Sequence, residues 1–132
     1  MKTVLVVDDE PVLRVLIREI LQDEGYAVID ASNGQAMLEL LQGVRPDLVL
    51  MDVMMPGVDG REAYQALRSR TDMPDVPVVM ISAAVQPGKL DPSIAAFLRK
   101  PFDLTELVEL VAQLIGPPSE DGKVLFTGSI GD

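Results

Sequence analysis

Five short apolar runs frame the chain: TVLVV at 3–7, AVID at 27–30, LVLM at 48–51, PVVMI at 77–81 and a weaker AFL at 96–98. Each is bounded by turn-forming residues and too short for a core helix, so each predicts a strand. The segments between them have helical spacing. Leu13, Leu16, Ile17, Ile20 and Leu21 form one stripe over 12–21, and Leu104, Leu107, Val108, Val111 and Leu114 form another over 104–115. Cap-plus-three signatures mark helix starts at Ser32 with Gln35, Asp59 with Glu62 and Asp103 with Glu106, while Gly25 and Gly43 fit helix stops. Strand and helix therefore alternate. Near-continuous Val/Leu/Ile strands suit a parallel sheet covered on both faces, so the expected fold is α/β: a doubly wound five-stranded sheet with helices on both faces.

Two stretches break the rhythm. Between Ala83 and Ala95, Pro87 and Pro92 leave room for only one or two helical turns, so the fourth helix is expected to be short. After Ile115, Gly-Pro-Pro ends the last helix, and the remainder has no period apart from Val124, Leu125 and Phe126. We expect one domain over 1–116 and a flexible tail over 117–132, too short to be an output domain.

Charge and composition remove several function classes. Lys plus Arg number 11 against 21 Asp plus Glu, a formal charge of -10, so nucleic acid and anionic membranes are poor direct partners. With no Cys and no His there is no disulfide framework, no His-based zinc site and no histidine general base. The apolar stretch at the N-terminus is too short for a secretory or spanning segment, which makes the cytoplasm the default location.

In an open parallel sheet, ligands bind outside the carboxyl ends of the strands. Asp8 and Asp9 follow the first strand, Asp52 ends the third, Ser82 ends the fourth and Lys100 follows the fifth, so all five should share one rim. Carboxylates converging there repel, each close pair by about a few kcal/mol, unless cations offset them. Lys100 supplies one charge, and Mg²⁺ suits the rest because it takes one or two carboxylates and keeps positions for water and phosphate oxygen. Phosphoryl transfer needs positioning and charge neutralisation more than acid–base groups, and an aspartate can be the nucleophile. Asp52 would then attack, Lys100 and the metal would hold the phosphoryl oxygens, and Ser82 would offer its hydroxyl.

The set VVDDE at 6–10, MDVMMPGVDG at 51–60, ISAA at 81–84 and LRKPF at 98–102 resembles the receiver domain of bacterial two-component response regulators, over roughly 2–115. The resemblance implies a flavodoxin-like strand order 2-1-3-4-5. It also implies that Asp52 is the phosphoacceptor for a sensor histidine kinase or phosphotransfer protein. By the same resemblance, Asp9 and Asp52 bind Mg²⁺ directly, Asp8 binds it through water, and Met54 contributes its backbone carbonyl. Lys100 would bridge to the phosphoryl group ahead of a cis bond to Pro101, and Ser82 and Phe97 would form a switch pair. The first helix would be the kinase-docking element. Seventeen residues separate Ser82 from Lys100, about one helical turn fewer than family members commonly have. That alters a surface commonly used for relay and dimer contacts.

Taken singly, these residues have blander readings. Asp8 and Asp9 could cap the first helix ahead of Pro11, and the side chains of Met51, Met54 and Met55 read as core filler. Phe97 alone reads as core. Two other functions stay in view: a pseudo-receiver acting purely as an interaction module, and an aspartate-dependent phosphatase. The phosphatase signature is Asp-x-Asp, whereas Asp8 and Asp9 are adjacent and their side chains should diverge. The expected protein is not an enzyme, catalysing only its own phosphoryl transfer and dephosphorylation. Its downstream target is not legible.

Overall fold

Period-two alternation sends successive side chains of each strand to opposite faces. The computed structural model, which describes residues 2–55, 57, 59–70, 75–84 and 91–118, shows that division. β1 (Thr3–Val7), β2 (Ala27–Ala31), β3 (Leu48–Asp52), β4 (Val78–Ser82) and β5 (Ala96–Arg99) form one parallel sheet in the order β2-β1-β3-β4-β5. This is the flavodoxin-like doubly wound order expected from the sequence. Leu5, Val7, Val49, Met51, Val78 and Met80 pack on α2 (Gly34–Leu40) and α3 (Gly60–Arg68), where Met37, Ala63, Tyr64 and Leu67 complete one core. Their neighbours Val4, Val6, Leu48, Leu50, Val79 and Ile81 pack on α1 (Pro11–Glu24) and α4 (Leu104–Ile115), through Ile17, Leu21, Leu107 and Val111. Each such side chain contributes about 1.5–3 kcal/mol on burial, and a one-residue slip of any strand would exchange its two faces. The register is thereby fixed.

The helix ends follow local chemistry, with two corrections. The cap of α2 is Asn33 and not Ser32: Asn33 accepts from the Ala36 N–H at 2.8 Å, because the helix begins one residue later than the Ser32 signature implied. Gly43 is not the terminal left-handed residue of α2, since the helix stops at Leu40 with Leu41 still right-handed. Gly25 does end α1 in the left-handed region at φ 108°, donating its N–H to Gln22 O, and Asp59 with Glu62 forms a complete capping box on α3. Leu16 departs from its expected stripe and is 43% exposed, because α1 buries a strip centred on Ile17 and Leu21. The short helix expected between β4 and β5 falls largely on 85–90, outside the described residues, and 92–95 form turns and bends.

At the amino-terminal edge of the sheet the chain closes on itself. The Lys2 N–H donates to Pro118 O at 3.0 Å, the Tyr26 hydroxyl donates to Gly116 O at 2.8 Å, and Lys2 Nζ donates to Ile115 O. The apolar group at 124–126 lies outside the described residues. Among the described residues no helix is long and apolar enough to cross a membrane.

Candidate functional site

The opposite, carboxyl edge gathers the charges. Asp8 follows the last residue of β1 and is only 1% exposed, and Asp52, the last residue of β3, is 5% exposed. Both continue the strand parity that faces α1 and α4. Lys100, just past β5, reaches between them: its Nζ lies 3.4 Å from Asp52 Oδ2, 3.3 Å from Asp8 Oδ2 and 2.7 Å from Glu10 Oε1. Carboxylate oxygens of Asp8, Glu10 and Asp52 all fall within 4.8 Å of one another. Three acids thus share one ammonium.

Main-chain donors hold the two buried acids. The Glu10 N–H donates to Asp8 Oδ1 at 2.8 Å and the Met54 N–H to Asp52 Oδ1 at 3.3 Å. Asp8 Oδ2 is different: it is buried and within ion-pair distance of Lys100, yet it receives no hydrogen bond. A buried carboxylate oxygen in that condition, beside two further carboxylates, fits a hard cation with oxygen ligands such as Mg²⁺. Burial pushes the Asp8 carboxyl above the ordinary range, against the opposing Glu10 N–H and Lys100. Burial also raises Asp52, helped by the neighbouring Asp8 charge. Burial opposes the Lys100 ammonium, but the Glu10 hydrogen bond and the Asp8 and Asp52 charges outweigh it, so its pKa moves up and it stays charged.

The other anticipated residues lie as follows. Asp9 is exposed, and its carboxylate is outside the group formed by Asp8, Glu10 and Asp52. Neither acid caps α1: the residue at that position is Glu10, without a side-chain cap, followed by Pro11. Ser82 is 1% exposed, and its Oγ accepts from the Ala84 N–H at 3.1 Å. Phe97 pairs with Met80 across β4 and β5 and packs, partly buried, against the α2–α3 core, with the Arg99 guanidinium 5.7 Å from its ring centre. The Lys100–Pro101 peptide bond is cis. Met51 and Met55 are core, but Met54 is not: it lies beyond the strand end on the rim and is 54% exposed.

The response regulator receiver domain family matches residues 4–112. The chain belongs to that family. Among solved structures, the receiver is similar to the chemotaxis protein CheY4 of Vibrio cholerae, at 30% identity and a TM-score of 0.80, covering 86% of this chain and 98% of that one. It is also similar to response regulator TrrA of Thermotoga maritima, solved in complex with Mg²⁺-BeF, at 34% identity and a TM-score of 0.74, covering 86% and 99%. Among curated proteins, response regulator MprA of Mycobacterium sp. strain KMS is 38% identical over 122 residues, 89% of this chain and 52% of that protein. The receiver thus spans about half the length of the curated relatives it matches.

Sequence reasoning missed two parts of the receiver's site. Glu10 makes the shortest contact to Lys100, and its signal was the third acid of VVDDE. Gly60, the last residue of MDVMMPGVDG, drew no reading of its own. A Cβ there would meet Asp52 O at 2.5 Å and Val53 Cα at 2.7 Å, and the Gly60 N–H donates to Val53 O at 2.9 Å. Only glycine lets the start of α3 lie against the main chain of Asp52.

Proposed function

We propose that this receiver accepts a phosphoryl group on Asp52 from the phosphohistidine of a sensor histidine kinase or phosphotransfer protein, with Mg²⁺ bound beside it. One observation carries the reading: a buried pair of acids and one lysine converge at the carboxyl edge of the sheet, with a buried Asp8 oxygen left without a hydrogen bond. An Asp52 carboxylate oxygen attacks phosphorus. The new P–O bond forms as the P–N bond breaks, and the imidazole nitrogen leaves with the electron pair. Lys100 stays charged throughout and turns from the carboxylates to the incoming phosphoryl oxygens, neutralising charge that the acids alone would repel.

Asp52 would hold the metal directly and Asp8 through water, with the Met54 carbonyl completing the protein's share; Asp9, exposed in this structure, would have to turn in to join Asp52 as a direct ligand. Glu10 is a further oxygen donor at the same place. When bound, the ion supplies positive charge against both the carboxylates and the transferred group. Modification would then draw the Ser82 hydroxyl toward the phosphoryl oxygens and let Phe97 pack further inward, turning a local charge event into a surface change. The receiver catalyses only its own phosphorylation and dephosphorylation.

Docking of the phosphodonor protein would use α1. Val12 and Val15 are 73% and 51% exposed, and with Leu16 they form an apolar strip beside the acids. An apolar groove lined by Leu13, Leu16, Phe102 and Leu104 opens next to Glu10 and Lys100. A Leu16→Asp variant should slow transfer from a kinase and leave transfer from acetyl phosphate unchanged.

Intact-mass measurement after incubation with Mg²⁺ and acetyl phosphate tests the central step. Wild type should gain one phosphoryl group, and Asp52→Asn should gain none. No adduct on wild type, or the same adduct on Asp52→Asn, overturns the assignment. Unchanged amide NMR shifts on adding Mg²⁺ and beryllofluoride would favour a pure interaction module. Sustained turnover of free phosphoesters would favour a phosphatase.

A further inference from the structure

The β1–α1 corner contains a side chain that the phosphoryl chemistry does not itself require. Arg14, on the first turn of α1, is 20% exposed and uses its guanidinium in two directions. Nη1 donates to the main-chain oxygen of Asp8 at 2.7 Å, and Nε donates to Asp30 Oδ2 at 3.0 Å. The other Asp30 oxygen accepts from Arg18 Nη1 at 2.8 Å. Asp30 sits near the end of β2, and the next residue, Ala31, accepts the Asp8 N–H through its carbonyl at 3.1 Å.

Asp8 is therefore held three times over. Its N–H is tied to β2, its carbonyl oxygen is tied through Arg14 to Asp30 of β2, and its Oδ1 is tied to the Glu10 N–H. What remains is Oδ2, facing Lys100 and without a hydrogen bond. A planar guanidinium can make both contacts at once from a fixed fork, whereas a lysine ammonium at the same place is a point charge on a flexible stem.

We propose that Arg14, anchored by Asp30, is a positioning residue that fixes the Asp8 main chain so that Asp8 Oδ2 is aimed into the cation site. The inference rests on the Mg²⁺-dependent reading of that site. It makes a prediction opposite in sign to simple electrostatics. Removing a positive charge near an acid cluster should, by Coulomb's law alone, tighten Mg²⁺ binding. Removing a strut that orders a ligand-bearing loop should weaken it, by roughly 10-fold for a contact of this kind.

Calorimetric titration with Mg²⁺ alone, in the absence of any phosphodonor, separates the two. Arg14→Gln should bind Mg²⁺ roughly 10-fold more weakly than wild type. Arg14→Lys, which keeps the charge and loses the fork, should also weaken. Arg18→Gln provides the matched control, because it removes the same charge and the same Asp30 partner but has no bond to Asp8; its affinity should be unchanged or higher. Thermal melts identify any variant that does not fold, and if Arg14→Gln is lost in this way Arg14→Lys decides. An Arg14 variant that folds and binds Mg²⁺ as tightly as wild type overturns the inference, as does equal weakening in Arg18→Gln. Wild type that binds no Mg²⁺ overturns the underlying reading instead, so the two failures are distinguishable.

Discussion

The two faces of the sheet arrive at the same rim with different equipment. On the α1–α4 side, Asp8 and Asp52 each bring a carboxylate oxygen within 3.4 Å of the Lys100 ammonium. On the α2–α3 side, Ser82 follows the parity of Val78 and Met80 and Phe97 packs on that core, contributing one hydroxyl and one ring. One layer of backbone separates them. The charged side is tied down by main-chain donors to both acids, whereas Ser82 Oγ is engaged by the Ala84 N–H two residues further on. A strand needs nothing beyond its own alternation to keep the charged groups apart from the hydroxyl and the ring.

Several substitutions would break or sharpen this contrast. Lys100→Ala should have the largest effect. The fold should persist, since Lys100 lies on the rim, but adduct formation on Asp52 should slow by about 100-fold and any partner response should be lost. Normal signalling by that variant would show that the charged side does not depend on its lysine. Next comes Gly60→Ala, whose new methyl group collides with the Asp52 carbonyl. We expect a loss of about 1–3 kcal/mol in chemical denaturation together with impaired phosphorylation. Undiminished stability there would mean that the start of α3 can retreat without cost.

A third prediction concerns pH. Burial raises Asp8 and Asp52, so the folded chain keeps their protons to higher pH than the unfolded chain does. The stability tied to these protons is present below the unfolded value of about 4 and is lost as pH rises through the raised folded values. In the metal-free protein, Asp8→Asn should therefore raise Tm at neutral pH, with the gain shrinking as pH falls toward about 4. Melts of wild type and variant across that range check the sign. The smallest effect should come from Ser82→Ala. Losing its bond to the Ala84 N–H costs about 0.5–1.5 kcal/mol, and adduct formation should continue. Amide shifts of Phe97 on activation should nevertheless disappear. If they persist, the two sides of the rim are coupled by another route.

Much of this was legible in the sequence because the strands are short and almost wholly apolar, which fixes element type, and because their ends are marked by polar residues. The parallel sheet, the helices on both faces and the convergence of Asp8, Asp52 and Lys100 follow from that pattern. Glu10 was not legible. Once the chain turns after β1, with the Glu10 N–H on Asp8 Oδ1, the third acid swings over the rim while Asp9 points outward. That divergence of adjacent side chains follows from strand geometry, but the return of Glu10 depends on the turn. The cap of α2 was misplaced by one residue because Ser32 and Asn33 are chemically interchangeable as caps, and only the start of the helix chooses between them. The Arg14–Asp30 bond joins α1 to β2 across 16 residues of sequence, and no local pattern announces it.

The clasp at the opposite edge has a practical corollary. Pro118 is bonded to Lys2 at the start of β1, whereas the acids lie past its end, five strand residues away, or roughly 17 Å. A fluorophore or affinity handle attached just after Pro118 would therefore set out from the far pole and leave the charged rim clear. One attached on α1 near Val12 would crowd it.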